Sequence, residues 1–371
     1  MIRRWTINGR FLTQPLTGVQ RYAREVVSAL DALLASGGDF ARGVEVELLY
    51  PPETADVLNL EMIGTRSVGR FKGHLWEQYC LPRSVDGGLL SFCNTGPLAV
   101  RKQIVCIHDV NTRLYPASYS RSFRTLYRCL IPALGRVAER VSTVSHYSRG
   151  ELARLGIAPA GKIFVAANGH EHALRWQPKR AHPSPDTPWQ NTIALIGSPA
   201  PHKNAAMIIG LADRLAEAGI GIAVVGMRDD RVFKTGPRQV AAGNVTWLGR
   251  LDDDEMAALL QDCLCLVFPS FVEGFGLPPL EAMAIGCPVI ASDRASLPEI
   301  CMDAALYASP ENPDAWLDRI RRLSQSPALR AEMIARGHKV AANYRWRRTA
   351  ERYLTAMAEM DGILEGGSRP T

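Results

Sequence analysis

Short apolar runs alternate with longer amphipathic stretches along the first half of the chain. The runs Val44–Tyr50, Ile104–Ile107 and Val141–Val144 have the length and composition of strands. Stretches such as Gln20–Leu34 instead carry apolar residues at roughly helical spacing. Alternation of this kind predicts an α/β fold in which helices cover both faces of a parallel sheet.

A proline-rich segment interrupts the pattern and marks a domain boundary. Arg175–Gln190 contains four prolines and little periodicity, as expected of a linker. The alternation then resumes with predicted strands at Thr192–Ile196, Ile220–Val225, Val245–Leu248, Cys263–Phe268 and Pro288–Ala291. Predicted helices lie at Asn204–Ala218, Asp254–Gln261 and Pro279–Ile285. We therefore expect Rossmann-like domains over residues 1–180 and 190–345, and a C-terminal helix over 346–365 that packs back towards the first domain.

Charge is distributed unevenly between the two halves. Residues 1–180 hold 24 Lys and Arg against 14 Asp and Glu, and residues 181–371 hold 19 against 23. The balances of +10 and −4 together give the net charge of +6. The basic half suggests an anionic partner, for which nucleic acid, anionic lipid and a phosphorylated acceptor all qualify.

Neither a membrane span nor a secretory signal is evident. No run approaches 18 consecutive apolar residues, and the first ten residues lack the apolar centre of a signal peptide. The eight cysteines are scattered, and Cys263 and Cys265 have the wrong spacing for a zinc or redox pair. We expect a cytoplasmic protein with reduced, buried thiols.

The densest chemical signal lies between Phe268 and Ala291, where a glycine-rich turn connects a predicted strand to a predicted helix. The backbone amides of Gly274–Leu277, together with the helix dipole, would favour a diphosphate at this point. Glu273 and Glu281 stand eight residues apart and could accept hydrogen bonds from sugar or ribose hydroxyls. The alternative is that both carboxylates serve only helix capping and solvation.

The segment 273–292 (EGFGLPPLEAMAIGCPVIAS) resembles the signature of glycosyltransferase family 4. Other short motifs follow the order of that family: Thr17–Tyr22 (TGVQRY), His108-Asp109, Val144–Ser148 (VSHYS), Asn168-Gly169, Gly197–Asn204 (GSPAPHKN), Val245–Arg250 (VTWLGR), Ser296–Glu299 (SLPE) and Asp303–Tyr307 (DAALY). The resemblance covers nearly the whole chain. It implies the GT-B fold, in which two Rossmann-like domains have parallel sheets that face a central cleft.

The resemblance also implies roles for individual residues in the second domain. Lys203 would bind the phosphates of a nucleotide diphosphate-sugar, Glu273 the hydroxyls of its sugar, and Glu281 the hydroxyls of its ribose. The turn Gly274–Leu277, with the amides of Phe275, Gly276 and Leu277, would hold the distal phosphate.

Three further positions belong to the expected donor site. Gly18 would let a loop of the first domain approach the diphosphate, and His108 would lie near the transferred sugar. Ser198 lies in the phosphate-binding loop, near a position where many relatives carry arginine. His202 likewise stands where relatives carry arginine, which leaves Lys203 as the principal cation for the phosphates.

An acidic run of four residues is a candidate metal site. Asp252–Glu255 superficially resembles a metal-binding DxD motif, but Asp252 and Glu255 have capping-box spacing directly before a predicted helix. Helix capping is the favoured interpretation, and no metal is expected to be required because Lys203 and a helix N-terminus already supply positive charge. His146 and His172 have no partner that the sequence identifies and are interpreted as structural.

A second segment of interest is the predicted helix within Ser120–Arg140. Arg121, Arg124 and Arg128 fall on one helical side, and apolar residues are available for another face. Such a helix can lie on an anionic membrane surface, and it can equally be an ordinary surface helix.

The function implied is that of a retaining glycosyltransferase that acts on a glycan or polyprenyl-diphosphate-linked acceptor. Overall, the sequence resembles those of bacterial mannosyltransferases of O-antigen and exopolysaccharide assembly, and this similarity suggests GDP-mannose as the donor. Other GDP-, UDP- or dTDP-sugars, or a nucleotide-sugar epimerase of the same fold, are alternatives. A basic nucleic-acid-binding protein is disfavoured because no RNA-binding, helix-turn-helix or zinc motif is present.

Overall fold

The computed structural model describes residues 2–38, 41–178, 189–197, 200–226 and 243–363. The chain forms two compact units. The first comprises residues 1–110, 121–169 and 345–371, and the second comprises residues 111–120 and 170–344. Domain boundaries from the sequence placed all of residues 1–180 in the first domain, whereas the segments Asn111–Ser120 and His170–Tyr344 belong to the second unit.

In the described part of the first unit, seven parallel strands form the sheet: β1 (Arg3–Asn8), β2 (Val44–Tyr50), β3 (Gly64–Ser67), β4 (Gly88–Ser91), β5 (Gln103–Cys106), β6 (Arg140–Thr143) and β7 (Ile163–Val165). They are arranged in the order β3-β2-β1-β4-β5-β6-β7. The order reverses between β1 and β4, which is the switch point of a doubly wound sheet.

Among the described residues, the sheet of the second unit has six parallel strands: β8 (Thr192–Ile196), β9 (Gly221–Val225), β10 (Val245–Gly249), β11 (Cys265–Phe268), β12 (Val289–Ser292) and β13 (Ala305–Ala308). Their order, β10-β9-β8-β11-β12-β13, has its switch point between β8 and β11. The predicted α/β fold with two parallel sheets is confirmed.

Helices flank both sheets. The α-helices of the first unit are Gly18–Ser36, Gly73–Leu75, Leu81–Ser84, Arg121–Val137, His146–Arg154 and Trp346–Met360, and a π-helix covers Trp76–Cys80. Those of the second unit are Asn111–Leu114, Ala205–Ile209, Ala212–Ala216, Asp253–Asp262, Leu277–Ala284, Leu297–Cys301, Pro313–Ser324 and Pro327–Ala341. Within the described ranges, none of the helices combines the length and the apolar character needed to cross a bilayer.

The single helix predicted over Asn204–Ala218 is in fact two short helices, Ala205–Ile209 and Ala212–Ala216. Gly210 stands at the break, where its low helix propensity permits a turn. Apolar side chains from both pieces nevertheless pack into the core of the second unit, where Ile208 and Leu215 are fully buried. The predicted apolar face is therefore present although the helix is interrupted.

The helix Trp346–Met360 completes the first unit. Tyr353 is fully buried, and its hydroxyl lies 3.0 Å from that of Tyr22 and 2.6 Å from Ser142 Oγ. Just beyond the helix, Asp361 accepts a hydrogen bond of 2.9 Å from the indole of Trp5 on β1. Residues from near the two ends of the described chain thus pack together in the core of this unit.

Candidate functional site

Two loops meet at the switch point of the second sheet. One follows β8 and leads to a 3-10 turn at Pro201–Lys203, and the other follows β11 and leads to the helix Leu277–Ala284. Ligands of doubly wound sheets bind at the carboxyl ends of the strands flanking such a point. Lys203, Glu273 and the turn Gly274–Leu277 therefore lie where the topology favours a ligand.

Lys203 and Glu273 are brought together from these two loops. The Lys203 Nζ lies 2.7 Å from Glu273 Oε1, and it lies 5.4 Å from the centre of the Phe268 ring. The Glu273 side chain is 11% exposed and that of Lys203 is 27% exposed, so the pair is largely shielded but open to solvent on one side. A cation suited to phosphate and a carboxylate suited to hydroxyl groups thus share one location.

The loop that carries Glu273 has a fixed backbone. Ser296 is fully buried, and its hydroxyl lies 3.0 Å from the carbonyl oxygen of Glu273 and 2.8 Å from that of Phe275. Gly276 caps the following helix with φ of 105°, which is a left-handed conformation that glycine adopts without strain. The family motif pointed to Ser296 but gave it no role, and the structure shows that it braces this loop.

The remaining residues of the predicted phosphate-binding turn are buried at the start of the helix. Gly274, Phe275 and Leu277 all have little exposure, and the Phe275 ring packs edge-on against Tyr344 at 5.6 Å. Ser198, the other predicted position in the phosphate-binding loop, lies outside the described residues. The roles of these residues towards a ligand remain predictions.

Glu281 has a partner that the sequence did not reveal. Its Oε1 lies 2.8 Å from Nε2 of His172, and both residues are buried. The sequence identified no partner for His172, and the structure provides one, while the interpretation of His172 as structural stays a prediction. The two residues are 109 positions apart in the chain, so no local pattern could have indicated the contact.

His202, which the family resemblance placed at a position expected to carry arginine, is buried among aromatic neighbours. Its ring stacks on Tyr119 at 6.0 Å, and its Nδ1 lies 2.8 Å from Ser118 Oγ. Burial, reinforced by the charge of Lys203, lowers the pKa of His202 to about 4. His202 is accordingly neutral at pH 7 and contributes no positive charge beside Lys203.

The predicted residues of the first unit lie at the carboxyl ends of its strands and in the first helix. Gly18 is exposed and begins the helix Gly18–Ser36. His108 follows β5, is 6% exposed, and directs Nε2 to the carbonyl oxygen of Phe92 at 2.8 Å. Burial opposes its protonation, but Cys106 and the Phe92 carbonyl outweigh that effect and raise the pKa of His108.

A buried ion pair at the carboxyl end of β1 was missed by sequence reasoning. Glu77 is fully buried, and its Oε1 lies 3.1 Å from Arg10 Nε, 2.7 Å from Asn8 Nδ2 and 2.9 Å from Thr95 Oγ1. Burial opposes ionisation, but the hydrogen bond from His74 and the charge of Arg10 outweigh it and lower the pKa of Glu77. The two residues of the ion pair, Arg10 and Glu77, are far apart in sequence, and no motif indicated them.

The acidic run Asp252–Glu255 caps a helix, as predicted. Asp252 Oδ1 accepts a hydrogen bond from the amide of Glu255, and Glu255 Oε2 accepts one from the amide of Asp252. This reciprocal arrangement is the capping box. Among the residues that the structure describes, no group of three or more His, Cys, Asp or Glu side chains is placed to hold a metal ion.

The chain is similar to known glycosyltransferases. The family model described as "Glycosyl transferases group 1" matches residues 178–340, which include both loops of the switch point. The O-antigen chain mannosyltransferase B of Escherichia coli is 29% identical over 70% of this chain and 71% of its own length. The O-antigen chain mannosyltransferase RfbU of Salmonella typhimurium is 28% identical over 68% of this chain and 67% of its own.

Solved glycosyltransferases share the fold over almost the full length. WaaG, a glycosyltransferase involved in lipopolysaccharide biosynthesis, superposes with a TM-score of 0.64 at 14% identity and covers 96% of this chain and 99% of its own. Sucrose-phosphate synthase from Thermosynechococcus elongatus gives 0.67 at 17% identity, covering 98% of this chain and 100% of its own. These matches agree with the family 4 resemblance of the motifs. The chain is therefore a glycosyltransferase, and its residues 178–340 match the group 1 glycosyl transferase model.

Proposed function

We propose that the chain is a retaining mannosyltransferase. It transfers mannose from GDP-mannose to a hydroxyl group of a glycan or polyprenyl-diphosphate-linked saccharide during assembly of an O-antigen or a related polysaccharide. The observation that carries the proposal is the Lys203–Glu273 pair at 2.7 Å. A diphosphate-sugar needs a cation for its phosphates and, beside it, a carboxylate that accepts hydrogen bonds from its sugar hydroxyls. The names of the E. coli and Salmonella relatives support mannose as the sugar.

The chemistry follows from the charge that develops on the leaving group. The bond between the anomeric carbon and the phosphate oxygen breaks, so negative charge grows on the diphosphate while the sugar gains oxocarbenium character. Lys203 and the amides of Gly274–Leu277 stabilise that charge, and one such preorganised donor is typically worth about 2.7–4 kcal/mol. The acceptor oxygen then bonds to the anomeric carbon on the face that the phosphate leaves, and its proton passes to the departing phosphate.

Glu273 and Lys203 bind different parts of the nucleotide-sugar. Each is the other's partner, and binding of a diphosphate-sugar gives the ammonium group a phosphate and the carboxylate a set of hydroxyl donors. Since the positive charge at the diphosphate comes from Lys203 and the start of the helix Leu277–Ala284, the proposed reaction requires no metal ion. The nucleotide-sugar is a co-substrate, and no resident cofactor is proposed.

A donor screen with the purified full-length protein tests the proposal. GDP-mannose, GDP-fucose, UDP-glucose and dTDP-rhamnose would be supplied with a polyprenyl-diphosphate-linked saccharide in excess EDTA, and released nucleoside diphosphate would be measured. We expect release of GDP from GDP-mannose that depends on the acceptor and is unaffected by EDTA. Release of UDP or dTDP alone would contradict the donor, and loss of activity that Mg²⁺ or Mn²⁺ restores would contradict a metal-free reaction.

We further propose that the helix Arg121–Val137 contacts an anionic membrane surface, where a lipid-linked acceptor would be found. Its basic side chains are exposed at Arg121, Arg124 and Arg128. Its apolar face is buried at Leu130 and Leu134 but continues to Phe123 and Leu126, which are 39% and 43% exposed. The apolar face thus extends from the core into solvent at the end of the helix that carries the exposed arginines. Such a combination of exposed apolar and basic side chains suits the interface of a bilayer.

Replacing all three arginines by glutamine should release the protein from anionic vesicles. Each basic residue near such a surface contributes about 1 kcal/mol, so the loss is roughly a hundredfold in partitioning. Flotation with phosphatidylglycerol-rich vesicles at low and high salt would measure it, and salt should weaken wild-type binding because the screening length shrinks. The matched control is Arg347→Gln/Arg348→Gln/Arg352→Gln, which removes the same charge from an exposed stretch of another helix. Equal flotation of both triple variants and wild type would contradict this role.

A further inference from the structure

His172 is a buried side chain with a defined orientation. It is 2% exposed, and its ring packs edge-on against Trp176 with centroids 5.7 Å apart. Its Nε2 lies 2.8 Å from Glu281 Oε1. An ionised carboxylate can only accept hydrogen bonds, so the ring nitrogen facing Glu281 carries the hydrogen and donates it.

The segment that carries His172 is anchored on both sides. Before it, the amide and Nδ1 of His170 lie 3.0 Å and 2.7 Å from the carbonyl oxygen of Tyr344. After it, the amide of Gln177 donates to Asp254 Oδ1 at 2.9 Å. The imidazole is therefore presented to Glu281 from a fixed stretch of backbone and not from a loose loop.

Glu281 needs such a partner because of where it lies. It is the fifth residue of the helix Leu277–Ala284 and is 9% exposed, so its carboxylate is largely removed from water. A carboxylate buried without hydrogen bonds is costly, and a flexible one loses rotamer freedom when a ligand binds. A hydrogen-bond donor fixed at 2.8 Å offsets the cost of burying the carboxylate. It also restricts the rotamers of Glu281 before a ligand binds, so less rotamer freedom is lost on binding.

We propose that His172 is a positioning residue for nucleotide recognition, which it serves by holding the Glu281 carboxylate in the orientation that accepts the ribose hydroxyls of the donor. This inference rests on the proposed function, in which Glu281 binds the ribose. His172 does not touch the nucleotide itself. Its effect should therefore appear only for ligands that possess the ribose hydroxyls.

The test compares GDP with 2′,3′-dideoxy-GDP by titration calorimetry. For His172→Phe we expect the Kd of GDP to rise about tenfold, or about 1.4 kcal/mol, while the Kd of dideoxy-GDP stays within about twofold of wild type. His172→Gln, whose amide can donate in place of the imidazole, should recover part of the affinity for GDP. His338→Gln, an exposed histidine of the same unit, is the matched control and should change neither Kd.

Parallel measurement of Glu281→Gln separates this inference from the proposal on which it rests. If Glu281→Gln weakens GDP selectively but His172→Phe and His172→Gln weaken neither nucleotide, the positioning role is overturned and the ribose site stands. Equal weakening of both nucleotides by the His172 variants also overturns it, because it indicates a general structural defect. If Glu281→Gln itself does not discriminate between the nucleotides, the assignment of the ribose fails and this inference with it.

Discussion

Lys203→Ala should lower kcat/KM by roughly 10²–10³-fold, since it removes a preorganised charge from the leaving diphosphate. Most of the loss should be in kcat, because the negative charge on the diphosphate grows as the glycosidic phosphate bond breaks. Steady-state kinetics with the donor identified in the screen would measure it. Lys203→Arg should fall between wild type and alanine, since it keeps the charge but changes its position and geometry.

A double variant separates the charge of Lys203 from its contact with Glu273, and a second variant at another lysine serves as the control. Removing Lys203 deprives the largely buried Glu273 carboxylate of the ammonium group 2.7 Å away, so Lys203→Ala/Glu273→Gln shows how much of the defect comes from that unpaired charge. Lys339→Ala removes an exposed lysine of the same unit and should retain wild-type kinetics. A kcat/KM for Lys203→Ala within about threefold of the control would contradict the proposed role.

Glu281→Ala should weaken binding of GDP by about 10–100-fold, in keeping with the loss of one hydrogen bond to a charged acceptor, worth about 1.5–3 kcal/mol. Glu273→Ala should act differently and chiefly lower kcat, because its proposed contacts are with the sugar, which GDP lacks. Calorimetry with GDP and kinetics with the complete donor would separate the two effects.

The outcome for each glutamate can be judged against the other. Both side chains are buried and both belong to the same short stretch of chain, so each serves as a matched control for the general cost of losing a carboxylate there. GDP binding by Glu281→Ala that is as tight as in wild type would show that the ribose assignment is wrong. A Glu273→Ala variant that loses GDP affinity and retains kcat would reverse the two roles.

Features encoded in a few neighbouring residues were predicted well from the sequence. The strands Val44–Tyr50 and Thr192–Ile196 occur with the predicted bounds, because short, largely apolar runs that contain Val, Ile, Thr or Tyr favour strands. The capping box of Asp252 depends on residues three positions apart, and it too was predicted correctly. The break at Gly210 was not predicted, since the apolar spacing continues on both sides of it.

Contacts between distant parts of the chain were beyond local patterns. Lys203 and Glu273 were each assigned from a motif, but their direct contact depends on how β8 and β11 are paired. The partner of His172 and the aromatic surroundings of His202 follow from segments that the linear sequence separates by many residues. Motifs therefore indicated which residues to examine, and the sheet topology determined which of them meet.

The placement of the helix Trp346–Met360 in the first unit has a consequence for biosynthesis. Trp346 and Tyr353 fill the core beside Tyr22, yet the ribosome adds them only after the entire second unit has been made. At typical elongation rates of about 5–20 residues per second, that delay is on the order of 10–35 s. Throughout this interval the nascent first sheet lacks its final covering layer and presents an unfilled apolar surface. The second unit, whose residues are all translated earlier, is thus free to reach its native packing first, in reverse of the usual order from the N-terminus.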